Sequence, residues 1–73
     1  MLTNMTYNLM ETAAVISKGL YRYETFKNDA QDCRPCQQIW DQMRKTDEEQ
    51  LGLLVSHLRA HLDQERARQT AAA

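Results

Sequence analysis

The run Lys45-Thr46-Asp47-Glu48-Glu49-Gln50-Leu51-Gly52-Leu53-Leu54 decides how the chain is read. Trp40 and Met43 precede it and leucines follow it, all at helical spacing on one face. Asp47 and Gln50 interrupt that apolar stripe near its middle. Two polar residues three apart on a face destined for burial mark either a site or the remains of one.

Outward from this run, the stripe reads Ile39/Trp40, Met43, Asp47, Gln50/Leu51, Leu54, His57/Leu58 and His61/Leu62. It predicts a helix from about 35 to about 66. Pro35 suits a first helical turn, with Asp32 or Cys33 near the cap. From Asp63 the pattern is lost, and Thr70-Ala71-Ala72-Ala73 is expected to fray. Before the break at residues 28–35, Met5, Leu9, Thr12, Ile16, Gly19, Tyr23 and Phe26 recur at alternating spacings of four and three. Leu2, Ala13 and Leu20 widen that stripe, which predicts a first helix over about 3–28, with Thr3 or Asn4 as its cap. Gly19 on the stripe points to a close helix crossing or a bulky neighbour such as Trp40, since glycine costs up to about 1 kcal/mol relative to alanine there.

A short connector between two such helices predicts an antiparallel hairpin, with Ile16 roughly level with Asp47. The 73 residues form one domain. Two helices cannot cover each other's apolar faces, and a lone core of this size supplies only about 3–5 kcal/mol. The expected partner is therefore the chain itself. Two hairpins make a four-helix bundle, as a homodimer or a higher even oligomer.

Composition narrows the classes of function. A formal net charge of −1 does not suit a nucleic-acid binder. No stretch approaches the roughly 18 apolar residues of a membrane span. The start Met1-Leu2-Thr3-Asn4-Met5 lacks the basic and apolar pattern of a signal peptide, so a soluble, cytoplasmic chain is expected.

Cys33-Arg34-Pro35-Cys36 is a CxxC at a helix start, where the dipole favours a thiolate. It reads as a redox or zinc-binding thiol pair, or as two incidental thiols. His57 and His61, four apart, can offer one helix face to a metal, or simply sit at the wet end of a bundle. Cys36 and His57 lie about 31 Å apart along one helix, so a joint zinc site needs two chains. Glu11 and Glu24 flank the first stripe and are solvated by default, as are Glu48 and Glu49. Nothing resembles a phosphate loop or a Ser/His/Asp set.

Two segments carry a family resemblance: Ile16-Ser17-Lys18-Gly19-Leu20-Tyr21-Arg22-Tyr23-Glu24-Thr25-Phe26 and Ile39 to Leu51. Together they resemble one helical hairpin of the ferritin-like superfamily, in the rubrerythrin and bacterioferritin style, over about residues 5–62. In that family a first-helix Glu precedes a Tyr by seven residues, the second helix carries Glu-x-x-His, and two hairpins hold two metal ions. Tyr23 matches the family Tyr. The ligand positions fall on Ile16, Asp47 and Gln50. Isoleucine binds no metal, aspartate is one methylene short, and a glutamine amide is a weak ligand for iron. The resemblance therefore implies an all-α ferritin-like bundle without a working di-metal centre, in which Asp47 and Gln50 hydrogen-bond across the bundle, to Tyr23 or to their symmetry mates: a non-catalytic protein with a structural or interaction role and no expected cofactor. Two alternatives stay open. One is a metal-binding member with an atypical iron or zinc site drawing on Asp47 and Gln50 with Glu11, Glu24, His57 or His61. The other is a thiol or zinc protein centred on Cys33 and Cys36.

Overall fold

Three helical segments account for nearly all of the backbone: α1 (Asn4–Leu20), α2 (Arg22–Asp29) and α3 (Arg34–Ala72). They come from a computed structural model that describes residues 2–72, with side chains for 2–69. Between α1 and α2 stands Tyr21 alone, whose backbone keeps right-handed helical angles (φ −65°, ψ −22°). The two therefore act as one arm, close to the single helix expected over 3–28. Thr3 caps that arm, its side chain accepting from the Thr6 N–H.

The turn at Ala30–Cys33 reverses the chain, with the Cys33 N–H donating to the Ala30 carbonyl at 3.0 Å. Cys33 is the cap of α3. Its carbonyl accepts from the Gln37 N–H at 3.1 Å and its sulfur from the Cys36 N–H at 3.3 Å. α3 then runs to Ala72, beyond the end expected near Arg66. Asp63 to Gln69 contains neither glycine nor proline, so the loss of amphipathic pattern does not stop the helix. Of the tail expected to fray, Ala73 lies outside the described residues. No helix among the described residues is long and apolar enough to cross a membrane.

The arms pack as an antiparallel hairpin along a narrow seam. On α1 and α2 it takes Thr6, Leu9, Ala13, Ile16, Leu20 and Tyr23. On α3 it takes Trp40, Asp47, Leu51, Leu54, Leu58 and Glu65, with Arg44 and His61 in the same register. Spacings of three and four alternate on both arms, the pattern of helices that wind around each other. Of the expected first stripe, Leu9, Ala13, Ile16, Leu20 and Tyr23 lie in this seam. Met5 (64% exposed) and Phe26 fall on the flank, as do Ile39 (52%), Met43 and Leu53 (73%) of α3. Each apolar stripe is thus wider than one neighbouring helix can cover.

The two broad faces of the hairpin differ at the connector half. One shows Phe26, Ile39 and Met43. The other carries Lys27–Asp41 at 2.9 Å, and Arg44 lying 3.9 Å from both Glu24 and Glu48. These ion pairs are exposed, which limits each to a fraction of a kcal/mol. Toward the open end the second face turns apolar too, with Tyr7, Met10, Val55 and Leu62 exposed.

Gly19 departs from expectation. A methyl group built on it meets nothing within 4 Å, and the same holds at Gly52. Neither Trp40 nor a close crossing within the chain accounts for the glycine on the stripe.

Candidate functional site

The seam brings one of the expected polar residues to a partner. The Tyr23 phenol donates a short hydrogen bond to the Asp47 carboxylate. Tyr23 is buried (7% exposed), and its ring lies 6.2 Å from those of both Phe26 and Trp40. Phe26 and Trp40 are themselves 5.1 Å apart. This aromatic wall fixes the phenol against α3. The hydrogen bond to Asp47, then burial, then the carboxylate charge all push the Tyr23 pKa above its ordinary value. Tyr23, rather than Ile16, therefore stands opposite Asp47, and Ile16 lies two turns further toward the open end. Three residues on from Asp47, Gln50 is exposed on the adjoining flank rather than buried in the stripe.

The histidines occupy the open half. His57 is exposed and His61 half-buried, with ring centroids 5.1 Å apart. His57 shares a shallow apolar depression with Leu9, Leu53 and Leu54. At the other end Cys33 and Cys36 are half-buried free thiols. The Cys36 N–H donates to the Cys33 sulfur at 3.3 Å. The neighbouring Cys36 side chain and this N–H lower the Cys33 pKa, while the neighbouring Cys33 and burial raise that of Cys36. The thiols, the Asp47–Tyr23 pair and the histidines thus lie at separate levels along the hairpin. No three of His, Cys, Asp and Glu come together as metal ligands among the described residues. Nor does the Ile16, Asp47 and Gln50 set fit a metal within one chain: Ile16 offers no donor atom, the Asp47 carboxylate is engaged by Tyr23, and Gln50 is exposed.

Glu65 is the polar residue that the sequence pattern hides. Placed among Asp63, Arg66 and Arg68, it reads as part of a charged helix end, yet it is 6% exposed. Its Oε1 accepts from the Thr3 N–H at 3.2 Å and the Thr6 hydroxyl at 3.3 Å, while its Oε2 pairs with Arg68. Thr6 is fully buried and closes this clamp on the start of α1. The discoverable signal was spacing: Glu65 continues the alternation through Leu54, Leu58 and His61.

Acidification should open this end first. Hydrogen bonding from Thr3, assisted by Arg68 and Thr6, lowers the Glu65 pKa. A folded-state pKa that is depressed gives stability present above the unfolded carboxyl range and lost as pH falls through the lower folded value. Amide exchange at Thr6 to Leu9, relative to intrinsic rates, should therefore rise as pH drops below about 4. Glu65→Gln should exchange faster at neutral pH and lose that acid dependence.

The chain matches no protein-family model, no curated protein and no solved structure.

Proposed function

We propose that this chain is half of a ferritin-like four-helix bundle that keeps the shape of the family without its di-metal centre. Its role on this reading is structural, or that of an interaction module, rather than catalytic, and its first partner is a second copy of itself. The observation that carries this is the uncovered surface. The hairpin exposes 5981 Å², roughly 1,300 Å² more than a globular chain of 8.5 kDa exposes. It measures 60 × 16 × 14 Å with a radius of gyration of 17.1 Å, against roughly 11 Å for a compact domain of this length. A stable protein interface takes about 800 Å² from each partner. The excess is of the size that one second copy removes, and the exposed Met5, Phe26, Ile39, Met43 and Leu53 are the residues that gain from it.

The resemblance supports the ferritin-like part of the proposal. Tyr23 falls at the family tyrosine, and its partner Asp47 is the residue at the position of the second-helix ligand. On this reading the phenol holds a carboxylate that no longer needs a metal. A buried tyrosine–carboxylate pair of this kind fixes helix register.

Restoring the ligands tests the alignment. The wild type should bind ferrous iron weakly or not at all. Ile16→Glu, Asp47→Glu and Gln50→His together should destabilise the apo protein, because ionisable groups enter the bundle without partners. Within one hairpin position 16 lies two turns from position 47 and position 50 is exposed, so iron can rescue the variant only where a second copy brings these levels together. At a hundredfold excess over its dissociation constant it should then return about 2.7 kcal/mol, read as a rise in melting temperature. Tight, stoichiometric iron on the wild type would overturn the degenerate-site reading. A folded triple variant blind to iron would overturn the ferritin-like alignment.

A further inference from the structure

The thiols at the connector are not used by the bundle proposal, and their arrangement has a chemistry of its own. Cys33 caps α3 and Cys36 lies one turn on, with the Cys36 N–H 3.3 Å from the Cys33 sulfur. Beside Cys36 is a shallow depression of about 340 Å³ lined by Phe26, Asp29, Ala30, Cys36 and Trp40. The pair is asymmetric. The Cys33 sulfur accepts the Cys36 N–H at the helix start, and Cys36 borders the apolar depression.

We propose that Cys33 and Cys36 form a dithiol–disulfide exchange site, with Cys33 attacking a peptide-borne disulfide whose apolar neighbours rest in the Phe26–Trp40 depression that Cys36 borders, and Cys36 resolving it. The Cys33 thiolate attacks one sulfur of the substrate disulfide. A Cys33–substrate disulfide forms, and the other substrate sulfur leaves as a thiolate that takes a proton from solvent. Cys36 then loses its proton and attacks the Cys33 sulfur. The Cys33–Cys36 bond forms, and the second substrate thiol is expelled. The cysteine pair gives up two electrons and two protons, and the substrate disulfide becomes two thiols. Accumulating negative charge at the Cys33 sulfur suits the N-terminus of a 39-residue helix. An apolar wall of Phe26 and Trp40 favours apolar residues beside the substrate bridge.

This site does not depend on the bundle reading, because every residue it uses lies in one chain. The test uses the full chain with oxidised glutathione as the first probe, followed by mass spectrometry. The wild type should lose two hydrogens and form an intramolecular bridge without a lasting adduct. Cys36→Ser should retain one glutathione on Cys33, and Cys33→Ser should react several times more slowly at Cys36. Iodoacetamide at neutral pH should label Cys33 several times faster than Cys36 in the reduced wild type. A synthetic peptide disulfide flanked by leucines should be reduced several times faster than oxidised glutathione. Equal labelling of the two thiols, bridges formed mainly between chains, or stoichiometric zinc that blocks both thiols would each overturn the proposal.

Discussion

Met43→Glu combined with Leu53→Glu should leave the chain as largely unfolded monomers. Both side chains are exposed on the uncovered flank of the single hairpin, at 44% and 73%. If a second copy covers them, each loses about 1.5–3 kcal/mol of burial on substitution. A carboxylate is left in an apolar interface besides. Per chain the two losses match or exceed the ~3–5 kcal/mol that a small lone core supplies. Sedimentation and far-ultraviolet circular dichroism should show mass and helix content falling together. Tyr21→Glu is the control. Tyr21 is 83% exposed and lines the opposite face with Glu24, Arg44 and Glu48. That substitution should change neither quantity. A double variant that keeps its mass and its melting temperature would mean that the flank is not covered by another copy.

The second large effect belongs to Tyr23. Tyr23→Phe keeps the aromatic wall and removes the proton that Asp47 accepts. Hydrogen bonds to charged groups contribute about 1.5–3 kcal/mol when buried. Asp47 is only half-buried, so a loss near the lower end, about 1–2 kcal/mol, is expected. In a domain of this size that lowers the melting temperature by several degrees. Asp47→Asn retains an acceptor and should cost less. The double variant should show the coupling of groups in direct contact, costing less than the sum of the single changes. The pH dependence has a defined sign. The folded state raises the Tyr23 pKa, so the stabilisation is intact below the ordinary tyrosine range and is lost as pH rises through the raised value. Wild type and Tyr23→Phe should differ at neutral pH and converge in strong alkali. A constant difference across that range would place the effect in packing rather than in the hydrogen bond.

The helices and their reversal were legible because glycine and proline are scarce and the apolar spacing is regular. Pro35 and the acidic turn formers ahead of it located the connector well. The seam was legible only in outline. Periodicity marks every apolar position on a helix, and here those positions outnumber what one neighbouring helix covers. That is why Met5 and Phe26 were grouped with Leu9, Ile16 and Tyr23, and Met43 with Trp40 and Asp47, although a single hairpin leaves Met5, Phe26 and Met43 exposed. Glu65 escaped because charge was taken as a sign of solvent. A carboxylate that receives Thr3, Thr6 and Arg68 no longer needs water. Asp47 was singled out correctly as unusual, and its partner Tyr23 lies 24 residues away in sequence. Only the register of the folded arms decides that pairing. Gly19 marks where reading from one chain stops. It stands beside open space, and no contact within the hairpin explains its presence on the stripe.

Light scattering of the unmodified chain at micromolar concentration separates a bundle of two hairpins from a lone one. A bundle gives a folded species of at least twice the chain mass of 8.5 kDa, melting at a temperature that rises with protein concentration. A cooperatively folding species of single-chain mass, with a melting temperature independent of concentration, would contradict the bundle.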